Sequence, residues 1–318
     1  MRAILLSAGL GSRLRPLNDY LPKCLAPVNG RPLMEFWLRA LSKAGVGPVL
    51  INLHTLSETV LHWVENSEFA DNVITVYEDE LLGTGGTLLN NRDFPGNEPL
   101  MLIHGDNLCI ADLEAFMKAH FMRPLGTEIT MMTFRTSSPE SCGIVELDSS
   151  GIVQAFHEKV PDPPGNLANA AVYILEPSVI RFLEGMKTAN IDFSTQVLPR
   201  FLGRIYSFHN SIYHRDIGSI ESLIAAQIEF PLPSVAPIGH DAWKALCNQK
   251  KDLSYHTLMT LAEFFNANII DEKDGYPDFY GLNHFDYKDF VIVHIRSQAI
   301  DINAIVQKLK SQLPSDME

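Results

Sequence analysis

With 318 residues, of which 46% are hydrophobic and 20% charged, the chain can bury a full core, in one large domain and a smaller one or in two ordinary ones. Its net charge of −13, from 25 Lys+Arg against 38 Asp+Glu and without a Lys/Arg run, argues against a nucleic-acid backbone as partner, because that affinity comes from neutralising phosphates. No stretch approaches the roughly 20 apolar residues that span a bilayer, and Cys24, Cys109, Cys142 and Cys247 form no CxxC pair, so a reducing compartment, the cytoplasm, is expected and no membrane partner.

Short apolar runs alternate with helical patterns along the first two thirds. Ala3–Ala8 reads as a buried strand that stops at a glycine turn, too soon for a signal peptide. Pro32–Ala44 follows as an amphipathic helix, then strand Val49–Leu53, helix Leu56–Glu65, strand Val73–Tyr77 and strand Leu100–His104. A helix is expected from about Asp112 to His120. Continuous apolar strands each followed by a helix predict an α/β fold, a Rossmann-like mixed and mainly parallel sheet flanked by helices. Ile129–Phe134, Gly143–Leu147 and Ile152–His157 read as shorter strands, the last two joined by Asp148-Ser-Ser-Gly151. Ala170–Leu175 is a strand, Pro177–Glu184 a helix and Ser194–Phe201 another.

The character then changes. A catalytic domain over 1–230 is expected to end at a Pro-rich linker, 231–238, and a small α+β region of unassigned role to fill 239–318. Its expected elements are helices near Asp241–Cys247, Tyr255–Asn266 and Ile302–Leu313 and a strand at Phe290–Ile295. For this region dimerisation of two copies ranks ahead of lid closure and of a second binding function. His256, His284 and His294 have no metal spacing between them.

Leu5-Leu-Ser-Ala-Gly9-Leu-Gly11-Ser12-Arg13-Leu14 sits directly after the first strand. Glycines here let backbone N–H groups cradle a phosphate. A dinucleotide site asks for G-x-G-x-x-G, but Leu14 stands where the third glycine belongs. A P-loop asks for a Lys after its last glycine, and none follows in that register. What the turn offers is Arg13, a fork of donors suited to phosphate oxygens. Taken alone it also reads, with less weight, as a solvated arginine on a tight turn. The next segment, Pro22-Lys23-Cys-Leu-Ala-Pro-Val-Asn-Gly-Arg-Pro-Leu33, adds Lys23 on a proline-stiffened loop.

From Leu6 to Leu33 the chain resembles the sugar-phosphate nucleotidyltransferases, whose opening reads close to L-x-A-G-x-G-[TS]-R-L, then P-K-x-L-x-P-V. Ser12 keeps the hydroxyl of the commoner Thr, and Asn18 replaces a second Thr with no consequence read from it. The resemblance continues through Glu78…Gly83-Thr84-Gly-Gly, His104-Gly-Asp106, Gly143-Ile-Val-Glu, Glu158-Lys159, Asn169-Ala-Ala171-Val-Tyr173 and Asp216-Ile-Gly218. Ala171 stands where the family has glycine.

This resemblance implies an enzyme that joins a nucleoside triphosphate to a sugar 1-phosphate and releases pyrophosphate. It implies nucleotide contacts from Leu6, Ala8, Gly9, Gly11, Ser12, Glu78, Gly83 and Thr84. Arg13, Lys23 and Lys159 would act on phosphates, Gly143, Glu158 and Asn169 on the sugar. Asp106 and Asp216 would be the ligands of Mg²⁺. Asp106 alone is more often a loop carboxylate and Lys159 alone a surface lysine; family order makes them candidates.

Relatives using uridine or thymidine triphosphates often carry Gln at the position of Glu78. A carboxylate only accepts, and guanine presents a ring N–H beside an amino group. GTP is therefore favoured over UTP, with heptose or mannose 1-phosphate as the closest-looking sugar. Against this stand a Glu78 that faces solvent, a uridylyl- or thymidylyltransferase, a catalytically silent sugar-nucleotide sensor, and a nicotinamide-dependent dehydrogenase already weakened by Leu14.

Overall fold

In a computed structural model, residues 1–230 are described apart from residues 16, 20, 29 and 30. The expected linker and all elements expected after it lie outside the described residues. In chain order the strands are β1 (Arg2–Leu6), β2 (Pro27–Val28), β3 (Arg31–Pro32), β4 (Val49–Leu53), β5 (Val73–Tyr77), β6 (Leu100–His104), β7 (Asn107–Ile110), β8 (Ile129–Arg135), β9 (Gly143–Leu147), β10 (Val153–Glu158), β11 (Leu167–Leu175), β12 (Ile205–His209) and β13 (Tyr213–Asp216). The α-helices are α1 (Leu33–Lys43), α2 (Ser57–Glu65), α3 (Gly83–Asn90), α4 (Leu113–Phe121), α5 (Pro177–Glu184) and α6 (Ile220–Glu229).

The chain divides into two compact units. The first holds Met1–Gly9, Trp37–His54 and Asn72–His214; the second holds Leu10–Phe36, Thr55–Asp71 and the chain from Arg215. In the first unit a nine-stranded sheet runs β10-β9-β11-β6-β1-β4-β5, with β8 paired to β11 and to β12. Strands β6, β1, β4 and β5 are parallel neighbours, and β8 pairs parallel with β12. Strand β11 enters antiparallel to β6 and β8, and β9 and β10 form an antiparallel hairpin. The expected mixed sheet with a parallel centre is what the chain builds. Leu6 lies opposite both Asn52 and His104, and Asn52 opposite Val76. The carboxyl ends of four parallel strands therefore finish level with one another.

The apolar runs explain the burial. Ala3, Ile4 and Leu5 of β1, and Leu100 through Ile103 of β6, are wholly buried, as strands covered on both faces must be. One core joins Ile4, Leu50, Leu102, Met131 and Tyr173 of the sheet to Leu183 of α5 and to Phe193, Val197 and Phe201. Removing a ring such as Phe193 from it would cost about 3–5 kcal/mol. Buried Leu33, Met34, Trp37, Leu38 and Leu41 mark the inner face of α1 at helical spacing.

Three local readings differ. The helix expected over Ser194–Phe201 is a wide π turn at Phe193–Val197 followed by a 3₁₀ turn at Leu198–Phe201, because Pro199 has no N–H to continue a ladder. Helix α3 forms where no element was expected, and β11 begins at Leu167 with a register shift between Asn169 and Tyr173.

Candidate active site

The glycine turn divides between the units after Gly9, so its halves are described in turn. In the second unit Gly11 takes a left-handed φ of 59° and heads a short 3₁₀ turn, Ser12–Leu14. Leu14, fully buried, anchors that turn, which explains why a leucine replaces the dinucleotide-type glycine. Ser12 and Arg13 remain exposed. Asn18 is buried beneath the turn: it donates to the Leu10 carbonyl, and its Oδ1 would lie 2.7 Å from a Cβ at Gly11. Asn18, from which no consequence is read in the sequence alone, thus packs and bonds beneath the turn.

The same unit gathers the phosphate-handling candidates. Lys23 Nζ lies 3.6 Å from Asp216 Oδ1, with the lysine side chain 11% exposed and the aspartate 58% exposed. A Cβ at Gly218 would stand 2.9 Å from Asp216 Oδ2 and 3.0 Å from Arg13 Nη2. Asp216 thus lies beside Lys23 and, at Gly218, close to the end of the Arg13 side chain. Buried Ile217 pins this turn, and Ser219 starts α6 with a reciprocal cap in which Ser219 and Ser222 each accept from the other's N–H.

In the first unit, Leu6 accepts the Gly105 N–H at 2.8 Å, and a Cβ on Gly105 would stand 2.8 Å from Ser7 Oγ. Ala8 is buried and Gly9 exposed. Asp106 follows Gly105 at the end of β6, half-buried, and its charge acts on His214. Burial holds that histidine down at about 4, against the hydrogen bond to Ala170 O and the pull of Asp106.

Glu78 does not face solvent: it is 4% exposed. Its Oε1 accepts from Thr87 Oγ1 at 2.6 Å and from Asn52 Nδ2 at 3.2 Å. The glycines that follow it are engaged by their own chain. Gly85 and Gly86 N–H groups both donate to Ile191 O, at 2.8 and 3.2 Å, and a Cβ at Gly86 would lie 2.2 Å from Ala189 O. Gly83, with φ 73°, would put a Cβ 2.6 Å from Ile191 O. Thr84 Oγ1 accepts the Phe193 N–H at 2.8 Å. This stretch docks as the first turn of α3 rather than as an open loop.

Gly143 and Glu158 face each other across the β9–β10 hairpin, and a Cβ at Gly143 would lie 2.6 Å from Glu158 Oε2. Lys159 Nζ sits 3.6 Å from Glu158 Oε1 on a backbone of φ 49°. Asn169 has both ends of its amide engaged: Oδ1 accepts the Ala171 N–H at 2.9 Å and Nδ2 donates to Tyr173 Oη at 2.6 Å. It braces the bulge in which Ala171 adopts φ 53°. These arrangements gather cations beside a carboxylate in one unit, and carboxylate, lysine and amide in the other.

The profile of the Nucleotidyl transferase family matches residues 2–230. The chain belongs to the nucleotidyl transferase family. The mannose-1-phosphate guanylyltransferase of Mycobacterium tuberculosis is 31% identical over 75% of this chain and 67% of its own length. The mannose-1-phosphate guanyltransferase of Debaryomyces hansenii is 28% identical, over 79% and 69%. Among solved structures, HddC of Yersinia pseudotuberculosis with GMP-PN superposes with a TM-score of 0.61 at 24% identity, covering 72% of this chain and 99% of that one. A UDP-glucose pyrophosphorylase from Acinetobacter baumanii gives 0.61 at 20% identity, over 72% and 92%. The two structures share the fold.

In this transferase, sequence reasoning missed Asp192 and Ser194. Glu158 is raised above the usual carboxylate range chiefly by burial; Lys159 pulls it back and Asp192 pushes it up again. Tyr173 is raised further, by burial first, against hydrogen bonds from Asn169 and Ser194. Asp192 also caps the following turn, its Oδ1 accepting from Thr195 N at 2.8 Å. No spacing could have revealed either residue, because Asp192 and Glu158 meet only through the fold.

Proposed function

We propose that this transferase moves a guanylyl group from GTP to a sugar 1-phosphate, mannose 1-phosphate or its heptose counterpart, and releases pyrophosphate. The observation that carries the chemistry is the placement of Asp216 beside Lys23, 3.6 Å away, and close to the Arg13 side chain at Gly218. Nucleotidyl transfer asks the protein for charge neutralisation and in-line positioning rather than for a nucleophile of its own. An oxygen of the sugar phosphate attacks the α-phosphorus; that P–O bond forms as the bond to the β-phosphate breaks. Arg13 grips the triphosphate, and Lys23, with its stem buried, offsets charge that grows at the α-phosphate. Lys159 pairs with the sugar phosphate while Glu158 accepts hydrogen bonds from sugar hydroxyls.

Asp106 and Asp216 would hold Mg²⁺. Among the described residues no group of three or more His, Cys, Asp or Glu is arranged to hold a metal. A pair of separate carboxylates fits an ion that keeps water and phosphate oxygens as its other ligands. When bound, the ion screens negative charge on the phosphates. For the base, the guanylyltransferase relatives and the acceptor-only carboxylate of Glu78 support guanine. Among the described residues no helix is long and apolar enough to cross a membrane.

The test is pyrophosphate release from the purified full chain with Mg²⁺, each common nucleoside triphosphate and a panel of sugar 1-phosphates. GTP with a manno-configured sugar 1-phosphate is expected to give the highest kcat/KM. A higher value with UTP or dTTP would replace the base, and no release with any pair would leave a silent binding module.

A further inference from the structure

One hydrogen-bonded chain in the first unit crosses three strand ends. The Ser7 N–H, in the glycine turn after β1, donates to Asn52 Oδ1 at 2.7 Å. A backbone N–H can only donate, so it fixes which way the Asn52 amide points. Asn52 Nδ2 is thereby turned toward Glu78 Oε1, at 3.2 Å, and Thr87 Oγ1, at 3.1 Å. The Thr87 hydroxyl, accepting from Asn52, spends its one proton on the same Glu78 Oε1 at 2.6 Å. The backbone of Glu78 is clamped too: its N–H donates to Leu53 O at 2.9 Å and its carbonyl meets His54 Nδ1 at 2.8 Å. Asn52, Glu78 and Thr87 are all buried.

We propose that Thr87 and Asn52 are positioning residues for base discrimination: by holding Oε1 of Glu78 they leave Oε2 alone to face the nucleobase. This rests on the reading of Glu78 as the group that faces the base. A carboxylate free to rotate could offer either oxygen, or swing aside and let water satisfy a uracil carbonyl. A carboxylate with one oxygen committed to two donors offers a single fixed acceptor, which matches a ring N–H or amino donor and repels a carbonyl. Because Asn52 also holds the Ser7 N–H, the segment that cradles phosphate and the group that selects the base are set by one amide. Asp cannot substitute, since it would set a second negative charge beside Glu78 and lose both Nδ2 donors.

The experiment is calorimetric binding of GTP and UTP to the full chain with Mg²⁺, for wild type, Thr87→Val and Thr87→Ser. Valine keeps the volume and removes the hydroxyl; serine keeps the hydroxyl. Thr87→Val is expected to reduce the GTP-over-UTP affinity ratio about tenfold, and Thr87→Ser to keep it, with all three unfolding at similar temperature. Equal weakening of both nucleotides in Thr87→Val would leave a purely structural role and overturn the inference. So would an unchanged ratio in a protein whose wild type prefers GTP, with the reading of the base then intact. A wild type that prefers UTP would remove both. If Thr87→Val fails to fold, Thr87→Ala decides by the same ratio, with the same loss expected.

Discussion

In the parallel half of the large sheet, β6-β1-β4-β5, the residues we propose to be functional stand at or close to the carboxyl ends of their strands: Leu6, Asn52, Glu78 and Asp106. In the antiparallel half they belong to the strands, with Gly143 opening β9, Glu158 closing β10 and Asn169 inside β11. Parallel strands all point their free ends one way, so loops can carry chemistry while the strands stay apolar. Antiparallel strands alternate, and a residue displayed in mid-strand must be re-aimed by a bulge. The left-handed backbone at Ala171 and the bracing amide of Asn169 do this here. The first half serves the nucleotide in our reading, the second the sugar.

The sharpest break of that division would come from Asp106, on the parallel side. Asp106→Asn removes charge with little volume and is expected to lower kcat by orders of magnitude, with thermal unfolding unchanged. Near-wild-type turnover at limiting Mg²⁺ would remove Asp106 from the metal assignment.

A smaller effect should separate the halves. Gly143→Ala pushes a methyl toward Glu158 Oε2 and the Phe156 ring, both 2.6 Å from the built Cβ. It is expected to raise KM for the sugar 1-phosphate about tenfold while leaving KM for GTP within about twofold. Equal rises for both substrates would show that the halves do not divide the work.

Much of this was readable beforehand, for a physical reason. Strands Val49–Leu53, Val73–Tyr77, Leu100–His104 and Gly143–Leu147 and helix Pro177–Glu184 fall where their local patterns put them. Helix α3 was hidden because glycine is a poor helix former; its glycines are there so that Ala189 and Ile191 can approach. Strand β12 and helix α6 went unassigned, their residues being only partly apolar. Of the proposed site residues, Arg13, Lys23 and Asp216 sit in contiguous motifs and could be named from the chain, whereas Asp192 meets Glu158, and Thr87 meets Asn52, only through the fold.

Acid stability gives a third test. His120 is buried against Thr130 Oγ1, 2.8 Å away, and burial, with Arg123 nearby, lowers it to about 3. In the unfolded chain it titrates near 6.5. Below that pH the unfolded state binds the extra proton, so stability is expected to fall as pH drops from about 6.5 toward 3. Hydrogen exchange at pH 5 should therefore speed up in β8 before β1, and His120→Gln should flatten the slope. Simultaneous acceleration in both strands would mean that the sheet opens as one piece.

The smallest effect is expected at the bulge. Ala171→Gly relieves a left-handed alanine and should add about 1 kcal/mol of stability, raising Tm by about 2–4 °C. A lower Tm would show that the unfolded glycine's freedom outweighs the relief.

The strand order carries a consequence for how such an enzyme could diversify. Strands β6 and β1 stand between β11, which bears Asn169, and β4, which bears Asn52. Substitutions at Asn52 and at Asn169 are thus separated by two strands, and in double-mutant cycles changes at these two positions should sum with little coupling energy. Base choice and sugar choice are then two nearly independent dials. A lineage, or an engineer, could turn one while selection holds the other still.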